Sequence, residues 1–378
     1  MSIYLDWAAT SPPDPALLAE GVEIACTGYG NPSSEHGAGK KGAALLAQAR
    51  ERCARALAVK SDTLIFTSGG TESDYLPMLA LNQRPVRGSI AVSAIEHPAV
   101  FEQAKMMENT GWEMLVIPAT EEGFITPEAV IATIRRDTAF VAVMAVNNET
   151  GAIQNVTEIA SELIHGCAGR KKPHFHVDAV QAAGKTDLVL STEGIDSAAI
   201  SGHKIQGPRG TGLLYLSKRI EPYIRGGGQE AGQRPGTENL AGAWALSKAL
   251  EKSMGDMNAE KAAALMAHLI SSLALMKEIA IIPSTRTPSD IRFSPWIVQF
   301  TNTKLPGEVL VRILSGKDIY ISMGSACSSR KKTRPVLEAM NVSGDKQQNA
   351  FRISIGRTTT KEDIDVFISA LASVLSDF

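Results

Sequence analysis

The sequence predicts an α/β protein built on a doubly wound, mostly parallel sheet, and three observations predict it. From about residue 60 to 216, short β-branched runs alternate with helical patterns. Several of those runs are apolar on both faces, as in Phe140-Val141-Ala142-Val143-Met144, the pattern of strands covered by helices on each side. At 378 residues and 44% hydrophobic, the chain can bury such a core without a disulfide or a metal.

The elements follow in order. Strands are expected at 64–67, 89–93, 114–118, 139–146, 175–177, 198–201 and 212–216. Thr126-Pro127-Glu128 opens one helix with a hydroxyl cap and a first-turn proline, and Gly111 closes another over 99–109. After roughly residue 255 the texture changes. Helices at 239–254 and 260–276 lead to a strand at 296–300, a helix at 307–314, a strand at 351–355 and a helix at 361–376. This block reads as a smaller α+β domain. The expected division is a large domain over 15–255 and a small domain made of 1–14 and 256–378, the latter carrying the loop around Cys327.

Charge and cysteine usage exclude several function classes. Lys plus Arg total 38 against 40 Asp plus Glu, a net charge of −2, so no basic field draws in nucleic acid or an anionic membrane. The opening Met1-Ser2-Ile3-Tyr4-Leu5-Asp6 has neither the basic nor the apolar region of a secretory signal. The uncharged run 262–276 is too short to span a bilayer and contains His268, Ser271 and Ser272. Cys26, Cys53, Cys167 and Cys327 are far apart, with no C-x-x-C pair, which disfavours a zinc site or a disulfide framework. A soluble protein of the reducing cytoplasm is expected. Cys26, Cys53 and Cys167 read as buried small hydrophobes.

Three segments carry chemistry. In Phe66-Thr67-Ser68-Gly69-Gly70-Thr71-Glu72-Ser73-Asp74 a strand ends, two glycines follow and a helix begins. Gly70, Thr71 and the helix N–H groups suit an anion, although a plain strand-to-helix turn explains the segment equally well. In His174-Phe175-His176-Val177-Asp178, strand alternation puts both histidines and the aspartate on one face. A metal site is one reading; a strand end delivering the Asp178 carboxylate into a crevice is the favoured one. The third segment is Ser201-Gly202-His203-Lys204-Ile205-Gln206-Gly207-Pro208-Arg209-Gly210-Thr211-Gly212. It places a lysine at a strand end beside a glycine-rich loop, a position for imine formation.

Together these pieces fit pyridoxal 5'-phosphate. That cofactor needs a lysine for its aldehyde, a carboxylate against its ring nitrogen, an anion cup for its phosphate and a flat group on its ring. Lys204, Asp178, the set Gly70/Thr71/Ser201/His203, and His97 of Glu96-His97-Pro98 match those needs in turn. Cys327 stands apart from the other cysteines: Gly324, Ser325, Ser328 and Ser329 surround it and Arg330-Lys331-Lys332 follow. An electropositive, polar loop of this kind favours a thiolate.

Ten motifs in order resemble the cysteine desulfurases of the NifS/IscS class, across nearly the full length. They are Asp6-Trp7-Ala8-Ala9-Thr10, Asn31-Pro32-Ser33-Ser34-Glu35-His36, the 66–74 turn, Glu96-His97-Pro98, Asn147-Asn148-Glu149-Thr150-Gly151, His176-Val177-Asp178-Ala179-Val180-Gln181, the 201–212 loop, Arg234-Pro235-Gly236-Thr237-Glu238-Asn239, Gly324-Ser325-Ala326-Cys327 and Arg352-Ile353-Ser354-Ile355-Gly356-Arg357. The resemblance implies a fold-type-I pyridoxal-phosphate transferase, with a seven-stranded mixed sheet in its large domain, and a homodimer. It implies that Lys204 holds the cofactor, Asp178 pairs with the ring nitrogen, Gln181 contacts the ring hydroxyl and His97 stacks on the ring. Asn148 is expected beside ring and substrate. Thr71, Ser201, His203 and, from the neighbouring subunit, Thr237 would hold the phosphate. Arg352, in preference to Arg357, would bind the substrate carboxylate.

The implied reaction converts L-cysteine to L-alanine. Lys204 moves the Cα proton, His97 moves a proton at the substrate thiol, and Cys327 takes the sulfur as a persulfide for a sulfur-acceptor or iron–sulfur scaffold protein. A selenocysteine lyase or another pyridoxal-phosphate lyase shares nearly all these residues; a purely scaffold-docking role needs none of them. Departures from the family pattern are few. Trp7 replaces a frequent asparagine and is expected to narrow the substrate entrance, 166–173 is expected to be a basic surface loop, and Arg330-Lys331-Lys332 adds positive charge beside Cys327.

Overall fold

The computed structural model describes residues 2–324 and 334–378. Cys327 and Arg330-Lys331-Lys332 lie outside the described residues.

Seven strands form the central sheet, in the order Leu64–Thr67, Gly212–Leu216, Ser197–Ser201, His174–Asp178, Thr138–Ala142, Ser89–Ser93, Glu113–Ile117. Gly212–Leu216 runs antiparallel to both neighbours, and the remaining ladders are parallel. The strands 64–67, 89–93, 138–142, 197–201 and 212–216 are buried at every residue, so their two-faced apolar pattern marks a sheet covered on both sides. The apolar run expected as one strand over 139–146 leaves the sheet after Ala142. Val146 instead pairs with Ile153 across the turn at Gly151, since an enclosed irregular segment is as apolar as a strand.

Helices start where the caps say. Thr126 Oγ1 accepts from the Ala129 N–H at 3.2 Å, and Asn239 Oδ1 from the Gly242 N–H at 3.0 Å. Thr360 and Asp363 form a reciprocal capping box at the start of Lys361–Ser376. A second sheet, Ala350–Ser354, Ile297–Asn302 and Ile279–Ile282, is antiparallel and packs over its own apolar core with Ala259–Leu273 and Lys361–Ser376. Ile3–Tyr4 pairs in parallel with Ile319–Tyr320, and Asp6 bridges to Ser354, which ties the first residues to the second sheet.

Among the described residues no helix is long and apolar enough to cross a membrane. Cys53 and Cys167 are buried as expected, but Cys26 is exposed. The helix Pro15–Thr27 buries the face carrying Gly21, whose missing Cβ lets it lie against Ala241, and Cys26 sits 140° round from it. The 167–173 connection puts Lys171 at the surface while Cys167 and Pro173 are buried.

Candidate active site

The carboxyl ends of the parallel strands open on one cavity. Each strand delivers a group just beyond its last residue. Asp178 ends its strand, Ser201 ends the next, and Gly202–Lys204 form the tight turn that follows. His97 caps the helix after Ser89–Ser93, and Gly70 and Thr71 begin the helix after Leu64–Thr67. Gly69 has φ +155°, a backbone state favouring glycine, and it swings those helix N–H groups toward the cavity. Gly70 is equally constrained: a Cβ there would meet Val180 Cγ2 at 2.7 Å.

Ten of the expected site residues line this single cavity: Gly70, Thr71, His97, Asn148, Asp178, Gln181, Ser201, His203, Lys204 and Arg352. Thr237 does not. It lies exposed beside Glu230 and Arg234 in a separate groove of the same chain.

Lys204 Nζ donates to the carbonyls of Ala8 and Ala9 at 2.6 and 2.7 Å. Gln181 Nε2 donates to the same Ala8 carbonyl at 2.9 Å, so the 8–9 segment forms one wall. Asp178 is buried and its Oδ1 accepts from the Val180 N–H at 2.9 Å. Burial, with Asp74 adding repulsion, pushes its carboxyl up to about 7. His97 Nδ1 accepts from the Ala99 N–H at 3.1 Å, so the neutral ring carries its hydrogen on Nε2. Burial and the nearby Lys204 charge push that imidazole down to about 4. His203 is likewise pushed down to about 4, by burial and Lys204, and its Nδ1 lies 3.1 Å from Thr10 Oγ1.

Arg352, in the Ala350–Ser354 strand, is 1% exposed. Its Nη1 donates to the Asn148 carbonyl at 2.8 Å and its Nη2 to Asp6 Oδ1 at 2.6 Å, while its enclosed Nε has no partner among the described residues. Arg357 is turned away; its Nη2 donates to the Ser253 carbonyl at 3.0 Å. Trp7 also departs from expectation. It is buried against Gly356, where a Cβ would lie 1.9 Å from the indole, and it lines a second small cavity that Lys204 and Arg357 also border.

Four further residues enter the site without having been singled out. Asp74 lines the cavity floor; it stands one helical turn after Gly70, and that spacing is its signal. Glu96 is buried, Ser93 Oγ and the Met144 N–H donate to its Oε1, and burial with Asp178 pushes it up to about 8. Lys185 Nζ donates to Gln181 Oε1 at 2.9 Å. Asp6 reaches Arg352 across 346 positions, a distance no local pattern spans. On the face of His174 and His176 both rings lie on Ser197 Oγ, and His176 Nε2 lies 3.1 Å from Asp74 Oδ1.

The donor set fits pyridoxal phosphate. A buried carboxylate with a raised pKa suits a cationic ring nitrogen, and a glycine-opened helix N-terminus suits a phosphate. An amine held on two carbonyls lies in the same cavity, and an enclosed guanidinium Nε awaits an acceptor.

The chain resembles known proteins over its length. The family model for aminotransferase class-V matches residues 3–367. A cysteine desulfurase IscS of Dictyoglomus turgidum is 34% identical over 385 residues, covering 99% of this chain and 94% of that protein. A NifS/IcsS protein homolog of Lactobacillus delbrueckii subsp. bulgaricus is 37% identical, covering 100% and 98%. A solved NifS-like protein superposes with a TM-score of 0.89 at 33% identity, covering 100% of both chains.

Proposed function

Because the chain belongs to the aminotransferase class-V family, in its NifS/IscS branch, we propose that it is a cytoplasmic cysteine desulfurase. The reading is that it converts L-cysteine to L-alanine and passes the sulfur through Cys327 to an acceptor in iron–sulfur assembly or thiolation. The observation that carries the reading is the convergence of Lys204, Asp178, His97 and Arg352 on one cavity. Residues 15–255 are assigned to cofactor binding, and 1–14 with 256–378 to a small domain that brings Arg352 and the Cys327 loop.

Lys204 would hold pyridoxal phosphate through its amine, with Asp178 at the ring nitrogen, Gln181 at the ring hydroxyl and His97 over the ring. Gly70, Thr71, Ser201 and His203 would hold the phosphate, completed in a homodimer by the partner subunit's Thr237. When bound, the group supplies an electron sink conjugated to the substrate Cα.

The chain's own residues do the rest. Arg352 offers Nε and Nη2 to the substrate carboxylate and fixes its orientation, with Asn148 alongside. Lys204 Nζ takes the Cα proton. His97 presents Nε2–H toward the cavity and handles the proton at the substrate thiol. The Cys327 thiolate attacks the substrate sulfur: an S–S bond forms, the C–S bond breaks with its electron pair passing to the carbon side, and protonation of that carbon fragment gives alanine.

Mass spectrometry of the protein after L-cysteine addition tests this. One extra sulfur is expected on the Cys327 peptide. Lys204→Ala abolishes turnover, whereas Cys327→Ser keeps the yellow cofactor and loses the added sulfur. Unchanged sulfide release from Cys327→Ser would remove Cys327 from the mechanism.

A further inference from the structure

Behind the cavity floor, three hydrogen bonds run end to end through the sheet. His174 Nε2 lies 2.7 Å from Ser197 Oγ, Ser197 Oγ lies 2.7 Å from His176 Nδ1, and His176 Nε2 lies 3.1 Å from Asp74 Oδ1. Ser197, His176 and Asp74 are at most 1% exposed, and both imidazoles stack on Phe140. One end of the chain, Asp74, lines the cavity beside Asp178. The other end, His174, begins its strand at the far side of the sheet and retains some exposure. Its Nδ1 has no protein partner among the described residues, and the residue is only partly buried.

A serine hydroxyl has one hydrogen, so Ser197 donates to one ring and accepts from the other. Two patterns follow. In the first, His174 Nε2–H donates to Ser197, Ser197 donates to His176 Nδ1, and His176 Nε2–H donates to an ionised Asp74. In the second every bond is reversed: Asp74 is a carboxylic acid donating to His176 Nε2, and His174 carries its hydrogen on Nδ1. The patterns differ by a single proton. It bonds to His174 Nδ1; the Nε2 hydrogen moves to Ser197, the serine hydrogen to His176 Nδ1, and the His176 Nε2 hydrogen to Asp74. Each ring, taken as a whole, and the serine hydroxyl gain one hydrogen and lose one, Asp74 gains one, and both rings end neutral.

We propose that His174, Ser197, His176 and Asp74 form a proton relay by which solvent protonates Asp74, leaving Asp178 as the member of the pair free to ionise. Three carboxyls, Asp74, Asp178 and Glu96, share this buried region, and like charges so enclosed do not all ionise. Burial raises Asp74 well above the usual carboxylate range and pushes both imidazoles down to about 4, so the proton rests on Asp74 and not on a ring. The charged neighbours are accounted for. His174 faces Asp196, Lys172, Arg84 and His176; His176 faces Asp74 and Asp178; Asp178 also faces Lys204. The value of an ionised Asp178 rests on the cofactor role proposed above.

The test is ¹⁵N NMR of the full-length protein labelled at histidine, between pH 5 and 9, with and without added pyridoxal phosphate. The tautomers of His174 and His176 are expected to switch together at one midpoint, neither ring becoming doubly protonated. Ser197→Ala is expected to leave His176 in one tautomer throughout, and the near-isosteric Asp74→Asn to stop both rings switching. A wild-type ring that keeps one tautomer, separate midpoints, or a switch that survives Ser197→Ala would overturn the relay. The histidine signals do not need the cofactor. Failure of added pyridoxal phosphate to give a visible absorbance band would sink the cofactor role and leave the relay standing.

Discussion

Asp6 Oδ1 lies 2.6 Å from Arg352 Nη2, so the guanidinium assigned to the substrate carboxylate already bears one anion from the chain's own N-terminal segment. The pair fixes the fork in one plane. Nη1 is held by the Asn148 carbonyl, Nη2 keeps a second hydrogen, and Nε is left for an incoming carboxylate. Arg352→Gln removes the bidentate grip, and kcat/KM for L-cysteine is expected to fall on the order of 10²-fold. Asp6→Asn keeps a hydrogen bond but leaves a buried cation uncompensated, for which urea denaturation should register a loss of roughly 1–2 kcal/mol. Steady-state kinetics showing Arg352→Gln within a few-fold of wild type would move the carboxylate site elsewhere.

Lys185 sets the direction of the Gln181 amide. Its Nζ donates to Oε1, which forces Nε2 toward the Ala8 carbonyl and leaves the second Nε2 hydrogen free of that bond. Burial among Lys204, Arg352 and Arg357 pushes the Lys185 amine down to about 7. Lys185→Met lets the amide flip, and the dissociation constant for pyridoxal phosphate is expected to rise about tenfold. Absorbance titration measures it, and an unchanged constant means that Gln181 is oriented by Ala8 alone.

Much of this was legible before any coordinates, and the reasons are physical. Strand alternation placed Asp178 and Lys204 at strand ends, and the rule that open α/β sheets bind ligands there brought them to one cavity. His97 is legible both as a helix cap and as a candidate site residue, and it caps the helix and lines the cavity. Asp6 and Glu96 were not, because their partners lie far away in sequence: Arg352 for one, Met144 for the other. On the His174–His176 face alternation gives the shared side of the strand but not what packs on it, here Ser197 and Phe140. Cys26 and Trp7 were misplaced for the same reason.

The buried carboxyls make a sign-definite prediction for the cofactor-free protein. Asp178 and Glu96 have folded pKa values raised to about 7 and about 8, so the folded state binds protons that the unfolded state has released. Their contribution is fully present below pH 4 and is lost as pH rises through 7 and 8. His97, His174, His176 and His203, lowered to about 4, act oppositely until pH is well above their ordinary value, and Lys185, lowered to about 7, opposes the carboxyls above that pH. The carboxyl trend is therefore read as a difference: the urea-midpoint advantage of wild type over Asp178→Asn is expected to shrink between pH 5 and 8. The slope of that difference is at most about 1.4 kcal/mol per pH unit for the one proton released. An advantage that stays constant or grows across this window contradicts it.

His97 holds two jobs on two nitrogens, and substitution separates them. Nδ1 caps the helix Pro98–Glu108 by accepting the Ala99 N–H, while Nε2–H is available to the cavity. His97→Ala loses both, with about 1 kcal/mol of stability from the cap and the proton-handling group together. Asparagine is itself a good N-cap, so His97→Asn should unfold in urea close to wild type. It lacks the imidazole that handles the proton at the substrate thiol, and kcat should fall by roughly 10²–10⁴-fold. Because burial keeps the imidazole near 4, the wild-type rate should show no loss from this group between pH 5 and 9. If His97→Asn keeps full kcat, the proton at the substrate thiol is carried by another group, and the histidine is a cap alone.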